Sequence, residues 1–99
     1  MNRIILPPRQ KGDGLTREAI IDRAALALLF EAGGEMMFSE LWKCLPCSRR
    51  ELSRGMLRQY AHGNIKRHLA DEPLTLTAAA MLAMEAARFK MEYQQEEAA

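Results

Sequence analysis

Ser48-Arg49-Arg50-Glu51-Leu52-Ser53-Arg54-Gly55-Met56-Leu57-Arg58-Gln59-Tyr60-Ala61 is the stretch on which the fold turns. It opens on Ser48-x-x-Glu51, the spacing of a capping box, in which serine and glutamate reciprocally satisfy free backbone N–H groups at a helix start. It closes just before Gly63, a suitable helix stop. A helix from Ser48 to about Ala61 or His62 is therefore predicted. On a helical wheel Leu52, Met56 and Tyr60 fall at i, i+4 and i+8 and form one apolar stripe. Arg50, Arg54 and Arg58 form a second stripe roughly opposite, with Arg49 and Ser53 near the border. One face is expected to pack on a core while the other presents at least three guanidinium groups.

Upstream, Glu35-Met36-Met37-Phe38 reads as a short strand or extended chain. Ser39 is then placed to cap a helix of about two turns, Glu40 to Leu45, carrying Leu41 and Trp42. Pro46 ends it, because proline disfavours helical geometry at the residue before it. Further back, Thr16 is a plausible N-cap with Leu15 as a hydrophobic staple. The helix it opens runs to about Glu31 or Ala32, where Gly33-Gly34 supplies a stop. Its segment Ala24–Phe30 is apolar on nearly every face, which marks a helix buried on several sides. Residues 1–14 contain Pro7, Pro8, Gly12 and Gly14 and read as an extended basic arm.

Downstream, Gly63-Asn64-Ile65-Lys66-Arg67 and Leu74-Thr75-Leu76-Thr77 suggest a small β-hairpin with its tip at Ala70-Asp71-Glu72-Pro73. That tip is acidic and lacks the glycine pair of a tight hairpin. A helical continuation from His62 to Ala70 is the alternative. Ala78 to about Gln95 is rich in strong helix formers. In it Ala79, Leu82, Ala86, Phe89 and Tyr93 share one stripe, and Met81, Met84 and Met91 an adjacent one. That face is wide enough to cover its own domain and also meet a second copy. The acidic tail after it is expected to fray.

The 99 residues fit one domain, and 48% apolar content argues against global disorder. A net charge of +1 conceals an uneven distribution. Residues 43–68 carry Lys43, Arg49, Arg50, Arg54, Arg58, Lys66 and Arg67 against Glu51 alone, between two acidic blocks. A basic block of this kind is a stronger nucleic-acid signal than overall pI. The longest apolar run, Ala24–Phe30, falls far short of the roughly 20 residues of a membrane span. Pro7-Pro8 interrupts the early apolar residues, so no signal-peptide h-region is read and a cytoplasmic location is expected.

Gly34–Leu41 followed by the Ser48–Ala61 helix, the glycine-led strand at Gly63 and the returning Leu74-Thr75 before a last helix resembles the winged-helix, helix-turn-helix family of bacterial and phage transcription regulators. The resemblance covers residues 16–80 and is one of pattern. It implies a mainly α fold: a three-helix core with a short β-hairpin, plus a C-terminal helix. It also implies that Ser48, Arg49, Arg50, Ser53, Arg54 and Arg58 face double-stranded DNA, with Lys66 and Arg67 near flanking phosphates. The acidic tip departs from a wing that grips a phosphate.

Two other patterns compete. Cys44-Leu45-Pro46-Cys47 has a redox-motif spacing, but the chain has too little strand character for the βαβ sheet that motif needs. Cys44-x2-Cys47-x14-His62-x5-His68 falls within a loose zinc spacing. If residues 48–61 form one helix, its ends lie ~20 Å apart, too far for one ion whose ligands must sit within about 2.3 Å of it. The two readings exclude each other, and the cysteines are taken as small thiols in a turn. Trp42 and Phe38 are expected in the core. The carboxylates Asp22, Glu31, Glu35 and Glu40 are expected on helix surfaces, and no catalytic constellation, cofactor site or metal site is predicted.

The resulting organisation is an arm at 1–14, a DNA-binding domain at 15–77, and a C-terminal element at 78–99. The last pairs two copies through Leu82, Ala86, Phe89 and Tyr93, or offers a surface to a protein partner. The rival reading is an adaptor or inhibitor on the same fold, whose basic helix docks on an acidic protein. A structural subunit assembled through the methionine-rich last helix is a third.

Overall fold

Residues 16–98 of the chain are described by a computed structural model, with side chains described as far as Glu92. The elements follow in the order α1 (Arg17–Glu31), β1 (Glu35–Met36), α2 (Phe38–Lys43), α3 (Arg49–Ala61), β2 (Leu74–Thr75) and α4 (Ala78–Ala98). The described chain is mainly helical with a small two-stranded antiparallel sheet. The basic arm, the Leu15 staple and the Tyr93 side chain lie outside the described residues.

Helix boundaries follow from local chemistry. Thr16 caps α1, its hydroxyl oxygen accepting the Ala19 N–H at 3.1 Å. At its other end the Gly34 N–H reaches the Leu29 carbonyl at 2.8 Å and the Gly33 N–H reaches Phe30 at 3.1 Å. That bond pair is a Schellman closure, and it needs the left-handed φ of 91° at Gly33. α3 closes identically, through Asn64 N–H to Gln59 at 2.9 Å and Gly63 N–H to Tyr60 at 3.0 Å. The chain therefore leaves α3 after Ala61, and the helical continuation towards Ala70 is not adopted.

α2 departs from its expected bounds. It starts at Phe38 with Met37 as N-cap, so Ser39 lies inside the first turn and caps nothing. Met37 is the last extended residue (φ −65°, ψ 145°), because pairing of Met36 with Leu74 holds the chain in strand geometry up to that point. The helix ends at Lys43, and Trp42 is not core. It is 37% exposed and straps the turn, its indole N–H donating to the Cys47 carbonyl at 2.9 Å.

The sheet ties the segments after α1 and α3 together. Glu35 faces Thr75 and Met36 faces Leu74 in antiparallel register. On the other side of β2, Ile65 forms one isolated bridge to Leu76, and the Lys66 N–H reaches the Thr75 carbonyl at 2.9 Å. The hairpin expected between residues 63–67 and 74–77 is thus reduced to one bridge, while β2 pairs with β1 along its other edge. Beyond it a turn closes through Glu72 N–H to the Leu69 carbonyl at 3.0 Å.

The core lies where α1, α2, α3 and the sheet meet. Leu29, Leu41, Leu45, Leu52 and Leu74 are fully buried there, with Ile65 and Leu76 beside them. Each such side chain contributes about 1.5–3 kcal/mol of transfer free energy. α1 also half-buries Ala24, Leu26, Leu28 and Phe30, as its apolar circumference suggests. Thr77 caps α4, accepting the Ala80 N–H at 3.1 Å and donating to the Gly63 carbonyl at 2.8 Å. α4 lays Ala80, Met81 and Met84 on the core, and it continues to Ala98, past the expected fraying point near Gln95.

Candidate nucleic-acid interface

α3 begins as its sequence requires. The Ser48 hydroxyl oxygen accepts the Glu51 N–H at 3.1 Å, and the Glu51 carboxylate accepts the Ser48 N–H at 3.0 Å. Glu51 also accepts from Arg17 Nε at 2.9 Å, while Arg17 Nη2 donates to the Pro46 carbonyl at 3.2 Å. One guanidinium thus joins the start of α1, the turn and the start of α3. The Arg17 hydrogen bond, reinforced by the Ser48 N–H, holds the Glu51 carboxyl down from an ordinary 4.5 to about 2.

The two stripes of α3 then rotate. Each residue advances about 100° around a helix, so an i, i+4 step overshoots a full turn by about 40°. Leu52 and Met56 are buried, but two such steps carry Tyr60 off the core to 50% exposure. Gln59 takes the inward place. The same drift turns Arg58 away from Arg50 and Arg54 and onto α1.

There Arg58 meets Asp22, which is 6% exposed. Its Nε donates to Asp22 Oδ2 and its Nη2 to Oδ1, both at 2.9 Å. Gln59 Nε2 adds a third bond to Oδ2 at 3.0 Å, and Gln59 Oε1 accepts from Asn64 Nδ2 at 2.8 Å. The carboxylate expected on a helix surface is therefore a buried, fully engaged anchor. Gly55 makes room for it: a Cβ there would lie 2.5 Å from Asp22 Oδ1. Arg58, expected to face DNA, is committed to holding α1 against α3.

The remaining basic residues converge. Arg49, Arg50, Ser53 and Arg54 on α3 form one wall of a groove of about 860 Å³, and Lys66, Arg67 and His68 form the other. Phe38, Met56, Ile65 and Leu74 lie among the apolar lining, and none of the lining residues is acidic. Arg49 stands 5.7 Å over the Phe38 ring, a cation–π contact that orients its guanidinium along the wall. Ser48 is exposed at the helix start, with its hydroxyl oxygen occupied by the cap. Leu57 (66% exposed) and Tyr60 also line this groove, a role the helical wheel alone did not assign them. Their signal was available as i+4 and i+7 spacing from Ser53, another lining residue. His68, read as a surface histidine, pins the far wall through Nε2 to the Glu72 carbonyl at 2.6 Å.

Other expected groupings are separated. Cys44 is buried and Cys47 half-buried before the N-terminus of α3, whereas His62 is the C-cap at its far end. Among the described residues no three histidine, cysteine or acidic side chains are grouped to hold a metal ion. Leu82, Ala86 and Phe89 share the outer face of α4, away from the groove, with Leu82 67% and Phe89 69% exposed. No helix among the described residues is long and apolar enough to cross a membrane. Comparison with known proteins returns no match to a family model, to a curated protein or to a solved structure.

Proposed function

We propose that this protein binds double-stranded DNA sequence-specifically through α3, as a small dimeric transcription regulator with a winged-helix arrangement. The observation that supports this reading is the groove with Arg49, Arg50 and Arg54 on one wall, Lys66 and Arg67 on the other, and no carboxylate between them. A phosphodiester backbone is the ligand that such a two-walled cationic channel suits. Backbone contacts position a protein on the duplex and base contacts specify the sequence. With one DNA strand seated in the groove, the solvent face of α3 enters the major groove. Arg50 and Arg54 then reach base edges, where guanidinium pairs bidentately with guanine O6 and N7. Arg49, Lys66 and Arg67 neutralise phosphates. The outer face of α4 pairs two copies, and two recognition helices then meet half-sites about one DNA turn apart.

Selection from a random duplex pool, followed by titration of the selected site at rising salt, tests the reading. Three phosphate neutralisations in each protomer of the dimer give a log–log slope of about −5. Arg50→Ala with Arg54→Ala is expected to erase sequence preference, and Lys66→Ala to weaken all sequences alike. Absence of DNA retention by the wild type at low salt overturns the reading.

A second reading has its own support in the exposed Leu57, Tyr60 and Leu69 near the cations. Apolar and basic surface together suits an acidic amphipathic peptide, so an adaptor on the same fold is the alternative. Its binding would persist at salt concentrations that remove DNA.

A further inference from the structure

We infer that the second copy pairs through α4 in parallel, in a short coiled coil whose direction is set by Glu85 and Lys90. The inference rests on the dimeric reading above and adds the orientation of the pair. α4 has two opposed faces. Ala80, Met81 and Met84 cover the chain's own core, and at 100° per residue Leu82, Ala86 and Phe89 point the other way. With Ala79 and Tyr93 their spacing is 3, 4, 3 and 4, the a/d alternation of a heptad seam rather than the broader stripe of a helix lying on a globular core.

Assigning Ala79, Ala86 and Tyr93 to a and Leu82 and Phe89 to d places Glu85 at g and Lys90 at e. Both are exposed, and neither makes an ion pair among the described residues. Arg88 and Glu92 are engaged within the helix at 3.3 Å. In a parallel pair, g of one helix lies beside the following e of the other, so Glu85 meets Lys90 of the second copy, twice by symmetry. In an antiparallel pair centred on Ala86 and Phe89, Glu85 lies beside Glu92 of the second copy and Lys90 beside Ala83. The first arrangement joins opposite charges, whereas the second sets Glu85 against Glu92 and leaves Lys90 beside an uncharged residue. The alanines at Ala79 and Ala86 let the helices approach closely there, with Leu82 and Phe89 supplying the apolar contact.

Sedimentation equilibrium and oxidative cross-linking of the full chain test this. Glu85→Lys or Lys90→Glu alone exchanges two attractive pairs for two repulsive ones and should weaken dimerisation about tenfold. The double reversal should restore it. Ala86→Cys, at a seam position facing its own symmetry mate, should cross-link well above the wild-type background. A wild type that stays monomeric, single reversals without effect, a double reversal that fails to restore dimerisation, or an uncross-linked Ala86→Cys dimer each overturns the parallel pair. DNA retention by the same samples is read separately: DNA binding by a monomer overturns only the pairing, and an intact parallel dimer without DNA binding overturns only the DNA reading.

Discussion

Arg54 and Arg58 are one turn apart on α3, in the same i, i+4 register, and belong to different parts of the molecule. Arg54 is exposed on the wall of an acid-free groove. Arg58 is locked bidentately onto the buried Asp22. One cation is available to a ligand, whereas the other binds α1 to α3. The lesson is that a helix alternates role within a single turn, because its 40° drift per four residues moves a side chain from one neighbour to the next.

Removing the anchor carries the largest expected effect. Asp22→Ala leaves Arg58 and Gln59 facing each other without the carboxylate both depend on. Breaking a buried pair costs 3–5 kcal/mol, and because Arg58 remains partly exposed we expect about 3 kcal/mol, read from denaturant unfolding. Arg54→Ala should leave that unfolding curve within about 0.5 kcal/mol of wild type, as surface changes do. If the two variants are equally destabilised, the division between the two sides of α3 is wrong.

The converse effect is on binding. Arg54→Ala should weaken the selected DNA site by about tenfold to a hundredfold, from the 1–3 kcal/mol of one bidentate base contact. Arg58→Ala, compared at a temperature where both variants are folded, should keep the same sequence preference. A loss of preference in Arg58→Ala would place that arginine in the interface after all.

Gly55→Ala tests how tightly the anchored side is packed. Its Cβ has no room beside Asp22 Oδ1, so either the carboxylate or the helix must shift. Overpacking of this kind costs about 1–3 kcal/mol, which should outweigh the gain of roughly 1 kcal/mol from replacing glycine inside a helix. A stabilised variant would show that α1 and α3 can separate slightly at no cost.

The smallest effect concerns the Glu51 clasp. A depressed carboxyl contributes stability that is fully present above the ordinary value of 4.5 and is lost as pH falls towards about 2. Glu51 is partly exposed, so solvent screening limits the effect to about 1 kcal/mol. Glu51→Gln should flatten the pH dependence of unfolding between those values, and equal slopes for both proteins would remove the clasp from the balance.

Much of this architecture could be read directly from the residues. Ser48, Glu51 and Gly63 delimit α3, and Thr16 with Gly33 delimits α1, because capping is satisfied within a few residues and needs no distant partner. The basic block at residues 43–68 likewise points to the region where the groove forms. Ser39 misled because strand pairing upstream, not its hydroxyl, decides where α2 begins. Tyr60 misled because two i, i+4 steps drift about 80° around the helix and off the core, and Trp42 because burial is a property of what lies opposite a side chain, which aromatic size alone does not reveal.

Local chemistry in the chain thus determined where helices start and stop and which segment is basic. Tertiary structure alone decided which arginines remain available. Asp22 and Arg58 are 36 residues apart in sequence, and no pattern within either helix shows that they meet. Their pairing depends on the packing of α1 against α3 at Gly55, where the missing side chain lets a carboxylate lie against the helix. The same packing leaves Arg49, Arg50 and Arg54 facing Lys66 and Arg67 across the groove.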